Sequence, residues 1–320
     1  MSEPTGIRQP TLVIRSFSSM FRTVFSRAAP HRLTAAATLL CLSAPAAMAW
    51  GPENTRAAPN PAPGTVEAAP RFKPLPSPSL NFYGSPGIID MPSAEMLPDG
   101  QYAVSYSWFG GQSRYNITFQ ALPWLSASFR YNGIRNLNLF GFDTYYDRGF
   151  DVRARLWRER RWLPEVTMGL QDFAGTGVYA AEYFTATKRF EAAALGWGRS
   201  PGRLKLTAGL GWGRLGSHGA IGNIGGKRPS FVGGTTGGTL STDQWFRGDF
   251  APFGGLEWQP DERWSLKAEY STDAYETETQ VSNVFERKSS LNYGVEYQYS
   301  DRVRLGAFDV LVGINLLREG

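Results

Sequence analysis

Residues 291–299 read LNYGVEYQY, and this stretch carries the pattern that decides the fold. Its large apolar side chains take every second position: Leu291, Tyr293, Val295, Tyr297 and Tyr299. The polar side chains between them are Asn292, Glu296 and Gln298. A repeat of two puts each set on its own face of a β-strand. The stretch therefore predicts a strand with one apolar and one polar face.

The same alternation recurs along the chain from Gly100 onward, in the segments 102–108, 114–120, 125–131, 150–156, 204–212 and 264–270. Two architectures share this pattern. A soluble β-sandwich packs its apolar faces inward. A membrane β-barrel turns its apolar faces to lipid and keeps polar residues inside. Helical bundles fit poorly, because the 36 Gly and the 14 % of aromatic residues are weak helix formers.

Three features favour the barrel. The segments run about 9 to 12 residues, as a tilted membrane span needs, whereas soluble strands average about 5 or 6. Tyr and Trp cluster near segment ends, and short links alternate with longer ones along the chain. We expect an all-β, antiparallel transmembrane β-barrel of about 12 strands. Residues 81–91 are expected to supply the twelfth strand, and residues 178–198 are read as a single strand.

The start of the chain reads as a signal peptide. Residues 33–49, LTAAATLLCLSAPAAMA, form an apolar stretch after arginines and end in Ala47-Met48-Ala49. Signal peptidase accepts such small residues, so residues 1–49 are expected to be removed after Ala49 on the way to the bacterial outer membrane. The alternative, a membrane anchor, would be short at about 17 residues. The true start codon is open between Met1 and Met20.

Cys41 is the single cysteine of the chain. Leu39 and Leu40 precede it, where a lipoprotein signal would have small residues. The processed chain would contain no cysteine, which excludes disulfides and cysteine metal ligands.

Residues 50–79 contain eight prolines and few large apolar side chains. Such a segment buries too little surface to fold, so we expect a disordered tether. Residues 80–320 would then form the barrel. The formal charge of +5 falls to +1 once the +4 of residues 1–49 is subtracted, which argues against nucleic-acid binding.

Candidate chemical motifs are weak. Residues 211–216, GWGRLG, match GxGxxG, but a glycine-rich loop follows where a dinucleotide site needs a helix. His218 is the one histidine of the processed chain and is adjacent to Ser217, yet no nucleophile motif surrounds that serine. We therefore predict no enzyme activity, no cofactor and no metal site. A surface lipid hydrolase using His218 stays a weaker alternative.

The polar faces of the strands carry ionisable residues of both signs, which we expect in the barrel lumen. They are Arg114, Arg130, Asp151, Arg153, Arg155, Glu182, Lys205, Glu257, Lys267, Glu269 and Glu296. One interpretation is a structural network of paired charges that fills a narrow barrel. The other is a polar track that guides a sugar polymer. The tether is open between a plug in the lumen and a link to a periplasmic partner.

The body of the chain resembles the YjbH family of outer-membrane proteins over roughly 220 residues. The order and spacing of several motifs carry the resemblance: 84–94 (GSPGIIDMPSA), 172–177 (DFAGTG), 188–190 (KRF), 209–216 (GLGWGRLG), 254–258 (GGLEW) and 267–270 (KAEY). Family members are often longer and have a second barrel-like region, and the resemblance implies that this sequence corresponds to the first region only.

The resemblance implies a non-enzymatic part in the export or surface assembly of an exopolysaccharide or capsule. The implied partners are outer-membrane lipid, the polysaccharide, other export components and a second barrel-like chain. A general small-solute porin and a sealed structural scaffold are the alternatives.

Overall fold

The computed structural model describes residues 36–44, 77–137, 144–191, 202–229, 240, 242–281 and 284–313. Thirteen strands lie in these ranges: β1 Ala36–Ala44, β2 Tyr102–Phe109, β3 Gln112–Leu122, β4 Leu125–Arg135, β5 Thr144–Trp157, β6 Glu165–Gln171, β7 Ala181–Glu191, β8 Arg203–Trp212, β9 Gly222–Ile224, β10 Gly248–Gln259, β11 Trp264–Tyr270, β12 Glu286–Ser300 and β13 Val303–Gly313. Helical structure there is limited to short turns at Gly213–Gly216, Thr242–Gln244 and Thr277–Val281. None of the described helical turns is long and apolar enough to cross a membrane.

The strands form one antiparallel sheet that closes on itself. Its order is β11-β12-β13-β1-β2-β3-β4-β5-β6-β7-β8-β10, and β10 pairs with β11 to complete the ring. The short strand β9 pairs with β10 within the loop that follows β8. The predicted all-β antiparallel barrel is confirmed in this coarse form, because a sandwich would need two separate sheets. The position of the barrel in a membrane stays a prediction.

The two faces of the barrel wall differ in the way the alternation predicts. On β3, Tyr115, Ile117 and Phe119 are about half exposed on the outside. The polar residues between them, Asn116 and Thr118, are buried. A soluble protein has the opposite arrangement, since its apolar side chains lie inside.

Connections at the two ends of the barrel differ in length. One end, here called the turn end, carries the short links 123–124, 260–263 and 301–302. The other, the loop end, carries the long connections 213–247 and 271–285. These connections agree with the predicted alternation of short and long links, whereas the link at Gly110–Gly111, also at the loop end, has only two residues.

Two strand predictions were wrong. Residues 81–91 form no strand: they lie inside the barrel as irregular backbone, with only isolated bridges at Leu80–Pro86 and Gly87–Pro92. Pro86 lacks an N–H for a ladder. Residues 178–198 are not strand throughout either, because residues 178–180 precede β7, which begins at Ala181. Residues 192–198 lie outside the described residues.

The twelfth strand of the ring is β1. It pairs antiparallel with β13 on one side and with β2 on the other. These residues belong to the segment predicted to be the signal peptide, and the predicted cleavage after Ala49 stays a prediction. The rest of that segment, residues 1–35 and 45–49, lies outside the described residues, as do residues 50–76 of the predicted tether. Residues 77–79 lie with the barrel. The predicted division between tether and barrel stays a prediction.

Candidate functional site: a plug held in the barrel lumen

Residues 77–98, here called the plug, fill the lumen. Phe82, Tyr83, Ile88, Ile89 and Met91 have essentially no solvent exposure. The plug contacts β3, β5, β8, β11, β12 and β13, which lie on all sides of the ring. The segment is therefore enclosed by the wall.

The plug has a compact fold of its own. The Asn81 side-chain oxygen accepts hydrogen bonds from the backbone N–H groups of Tyr83 (3.0 Å) and Ser85 (3.2 Å). The backbone N–H of Phe82 donates to the carbonyl of Ile89 at 2.8 Å, which draws the two ends of this turn together. Gly84 has a φ of +75°, and a Cβ there would overlap the Asn116 side chain on β3. Glycine is required at this point for both reasons.

Glu269 on β11 holds the centre of the plug. Its Oε2 accepts from three consecutive backbone N–H groups, those of Ile89 (2.8 Å), Asp90 (3.0 Å) and Met91 (2.9 Å). Asn292 on β12 donates to Oε1 of the same carboxylate at 2.9 Å. Hydrogen bonds to a buried charged acceptor are roughly twice as strong as neutral ones. One wall side chain thus satisfies three plug donors.

Cations from the wall satisfy plug carbonyls in the same manner. Arg153 on β5 donates to the carbonyls of Pro86 (3.2 Å) and Glu95 (3.1 Å), and also to that of Ser93. Lys267 on β11 donates to the carbonyl of Ile88 at 2.7 Å. Buried backbone without such partners would be costly.

The end of the plug near the turn end carries an ion-pair network. Glu95 of the plug pairs with Lys205 on β8 (2.8 Å) and with Arg189 on β7 (2.9 Å). Lys205 also pairs with Glu257 on β10 at 2.6 Å. Removing one partner of such a buried pair typically costs about 3–5 kcal/mol.

The start of the plug is fixed to β12 and β13. The Ser79 hydroxyl donates to Glu296 on β12 at 2.6 Å, and Glu296 pairs with Lys267 at 2.9 Å. Arg304 on β13 donates to the carbonyl of Ser77 at 2.8 Å.

Tyr83 of the plug is surrounded by three guanidinium groups near the loop end. Arg214 lies 3.8 Å, Arg114 4.1 Å and Arg130 4.9 Å from the centre of its ring. Cations over an aromatic face are attracted by its quadrupole. Arg130 also pairs with Asp151 at 2.9 Å, which balances one of the charges.

Two of the predicted lumen residues bond to partners outside the plug. Glu182 accepts two hydrogen bonds from Arg228 of the long loop, at 2.6 and 2.8 Å. Arg155 pairs with Glu165 at 3.0 Å close to the turn end, where it is partly exposed. Among the described residues, neither side chain is hydrogen-bonded or ion-paired to the plug.

Several plug contacts come from residues that the sequence analysis did not select. Arg189 and Arg304 are charged, and Thr118, Thr167 and Thr187 bond the plug backbone through their hydroxyls. The signal for Arg304 was available, since it alternates with Val303 and Leu305 on β13. For the three threonines, the sequence gives no signal of plug contact beyond their position on a polar strand face.

A cavity of about 630 Å³ opens at the loop end above the plug. Glu278 lines this cavity and accepts hydrogen bonds from Tyr179 (2.8 Å) and Gln112 (3.1 Å). Burial, and to a smaller extent the charge of Asp273, raises the pKa of the Glu278 carboxyl from its usual 4.5 to about 7.

Comparison with known proteins shows the family to which this chain belongs. The sequence model of the YjbH family, described as "Exopolysaccharide biosynthesis protein YbjH", matches residues 79–312. The chain belongs to the YjbH family. The YjbH protein of Escherichia coli (strain K12), named "Uncharacterized lipoprotein YjbH", is 32 % identical over 241 residues. The match covers 70 % of this chain and 32 % of that relative, so the chain spans about a third of the relative's length. No solved structure matches.

The extent of the family match coincides with the plugged part of the barrel. In this YjbH chain the match begins at Ser79, within the plug, and ends at Val312, within β13. Strand β1 lies outside it. The plug and the eleven long strands that follow it are thus the part shared with the family.

The described residues do not bring Ser217 and His218 into the arrangement that the hydrolase alternative would need. The Ser217 hydroxyl donates to the carbonyl of Arg214 at 2.7 Å and accepts from the N–H of Ala274 at 2.8 Å. Among the described residues, His218 is an exposed loop residue with no hydrogen bond to that hydroxyl. The absence of catalysis stays a prediction.

Proposed function

We propose that this chain is an outer-membrane barrel that takes part in exopolysaccharide export or surface assembly as a closed component. The observation that carries the proposal is the plug, which is bonded to strands on all sides of the lumen. A closed barrel suits docking and assembly of partners. A general porin would need an open lumen, so this arrangement favours it less.

The outer surface supports a membrane position. Exposed Trp124, Trp157, Trp162, Trp264 and Tyr299 gather toward the turn end. Aromatic girdles of this kind lie at the interfaces of membrane barrels. Apolar side chains dominate the outside of β3, and soluble monomers rarely expose contiguous apolar patches larger than a few hundred Å². The name "lipoprotein" of the E. coli relative supports a cell-envelope location.

The link to polysaccharide rests on family membership. The family description names exopolysaccharide biosynthesis, and the match spans most of this chain. The barrel would contribute no reaction, and the energy for export would come from other components.

The test combines current and polymer measurements. The protein recovered from membranes after expression of the full reading frame should show heat-modifiable migration and little steady current in a planar bilayer. Arg153→Ala removes three bonds to plug carbonyls and should produce open or flickering current. Arg302→Ala, at an exposed arginine of the turn end, is the matched control and should stay silent.

Deletion of the gene should lower surface or secreted polymer, and the unaltered gene should restore it. Steady wild-type current would contradict a closed barrel. Unchanged polymer under producing conditions would contradict the part in export.

A further inference from the structure

Strand β1 occupies a gap between β2 and β13. Leu40 lies opposite Tyr106 of β2 and opposite Leu305 of β13. Cys41 lies opposite Ser105 and Arg304 in the same way. One strand therefore completes two ladders at once, and these ladders close the ring.

The neighbours of this gap run in the same direction. Successive strands from β2 to β13, apart from the short β9, are antiparallel, and their number is odd at eleven. Direct closure of β2 onto β13 would therefore make a parallel pair, whereas an inserted strand makes two antiparallel ones. Antiparallel pairs are slightly more stable per residue. The gap suits one added strand.

The occupant of the gap does not belong to the shared part of the family. The family match begins at residue 79, after β1. The predicted cleavage after Ala49 would also remove β1 from the processed chain. Two strand edges, β2 and β13, would then be left about 10 Å apart, which is two strand spacings.

We propose that this gap is a strand-acceptor site, which in the processed protein takes an antiparallel β-strand from a second polypeptide. The inference rests on the proposed outer-membrane barrel. Addition of an extended strand to a sheet edge is an established mode of peptide recognition. The E. coli relative has two thirds of its length outside the match, so the family contains sequence from which such a strand can come.

The edges define the chemistry of the accepted strand. Val104 and Leu305 are exposed on the outside of the wall, while Ser105, Ser107 and Arg304 are buried on the inside. The added strand should therefore alternate, with apolar residues outward and small or polar residues inward. Its direction should oppose that of β2 and β13.

The test uses the full reading frame expressed in a bacterial host, with the barrel recovered from membranes. Intact mass first reports the amino terminus, which is expected at Trp50. The probe is a synthetic peptide of residues 33–46, whose Cys41 supplies the thiol. Ser105→Cys in the barrel should form a disulfide with it, because direct cross-strand neighbours lie within disulfide range.

Ser107→Cys is the matched control for register. It lies two residues away on the same strand and face, opposite Leu39. The adduct at Ser105→Cys should exceed that at Ser107→Cys by about tenfold, since disulfides tolerate little misplacement.

Three results would overturn the site. An intact mass that includes residues 36–44 means that the chain fills its own gap. A spontaneous disulfide in the Tyr106→Cys/Leu305→Cys double variant means that β2 and β13 close directly. A heat-modifiable barrel that captures no peptide means that the gap accepts no strand. Loss of heat-modifiable migration in the unaltered protein would instead contradict the proposed barrel function itself.

Discussion

The plug is buried and strand β3 is buried on its inner face, yet the backbone hydrogen bonds of the two are satisfied in different ways. The backbone of β3 pairs with β2 and β4 along its length. The plug backbone is bonded largely by side chains. Glu269 accepts from three N–H groups, and Arg153 and Lys267 donate to carbonyl oxygens. The backbones of the wall strands therefore bond to one another, and the inner side chains of the wall are available to bond the plug. Substitutions on the inner face should release the plug before they unfold the wall.

The largest loss of plug stability relative to the wall is expected from Glu269→Ala. Three neighbouring N–H groups lose their acceptor, which should destabilise the plug by roughly 3–5 kcal/mol. Hydrogen exchange measured by mass spectrometry should rise sharply in residues 88–91 and little in β3. Glu269→Gln keeps one acceptor oxygen, so its hydrogen exchange in residues 88–91 should lie between that of the wild type and that of Glu269→Ala.

The control for that experiment is Glu262→Ala, at an exposed carboxylate of the turn end. It should leave plug exchange unchanged. If β3 and the plug lost protection together in Glu269→Ala, the two regions would form one cooperative unit and the contrast would fail.

A smaller effect is expected at Tyr83. Tyr83→Leu removes the ring beneath three guanidinium groups, whereas Tyr83→Phe keeps it. Each cation–π contact at a desolvated site contributes up to about 2 kcal/mol. Exchange in residues 80–84 should therefore increase clearly for the leucine variant and slightly for the phenylalanine variant. Equal behaviour of the two variants would rule out the ring contacts as the cause.

The smallest effect is a local pH dependence at the loop end. Because the pKa of Glu278 is raised from 4.5 to about 7, the folded loop binds a proton more tightly than the unfolded one. The stabilisation is complete below pH 4.5 and is lost as the pH rises toward and through 7. Loop 271–285 should therefore be cleaved faster by protease at pH 8 than at pH 5, relative to a reference substrate.

Glu278→Gln should flatten this dependence. Glu276→Gln changes an exposed neighbour on the same turn and serves as the control. A wild-type loop with the same relative cleavage at both pH values would show that Glu278 does not titrate in this range.

Much of the wall follows from the sequence, because alternation depends on local geometry alone. LNYGVEYQY predicts β12, and the same pattern predicts most other strands and their polar faces. The plug could not be predicted as such. Irregular backbone has no periodicity, and residues 81–91 combine apolar side chains with glycine and proline in a way that resembles a short strand between turns.

The partners of the lumen charges were also beyond local patterns. Glu269 and Arg153 stand out as polar members of β11 and β5, but the acceptors and donors they meet are set by the path of the plug. The closing strand was missed for another reason: an apolar run such as Ala36–Ala44 fits a signal peptide as well as a strand. The structure adds its pairing, and the family match adds that it lies outside the shared region.

The position of the plug in the chain has a consequence for the order of folding. The plug is synthesised before the wall, yet Ser79 bonds Glu296, 217 residues later, and Ser77 bonds Arg304, 227 residues later. Contacts of such sequence separation form slowly, because loop-closure entropy is paid first. The plug can be clamped only when the last two strands arrive. Sealing of the lumen then coincides with the arrival of β12 and β13, and the wall assembles around a segment that was synthesised before it.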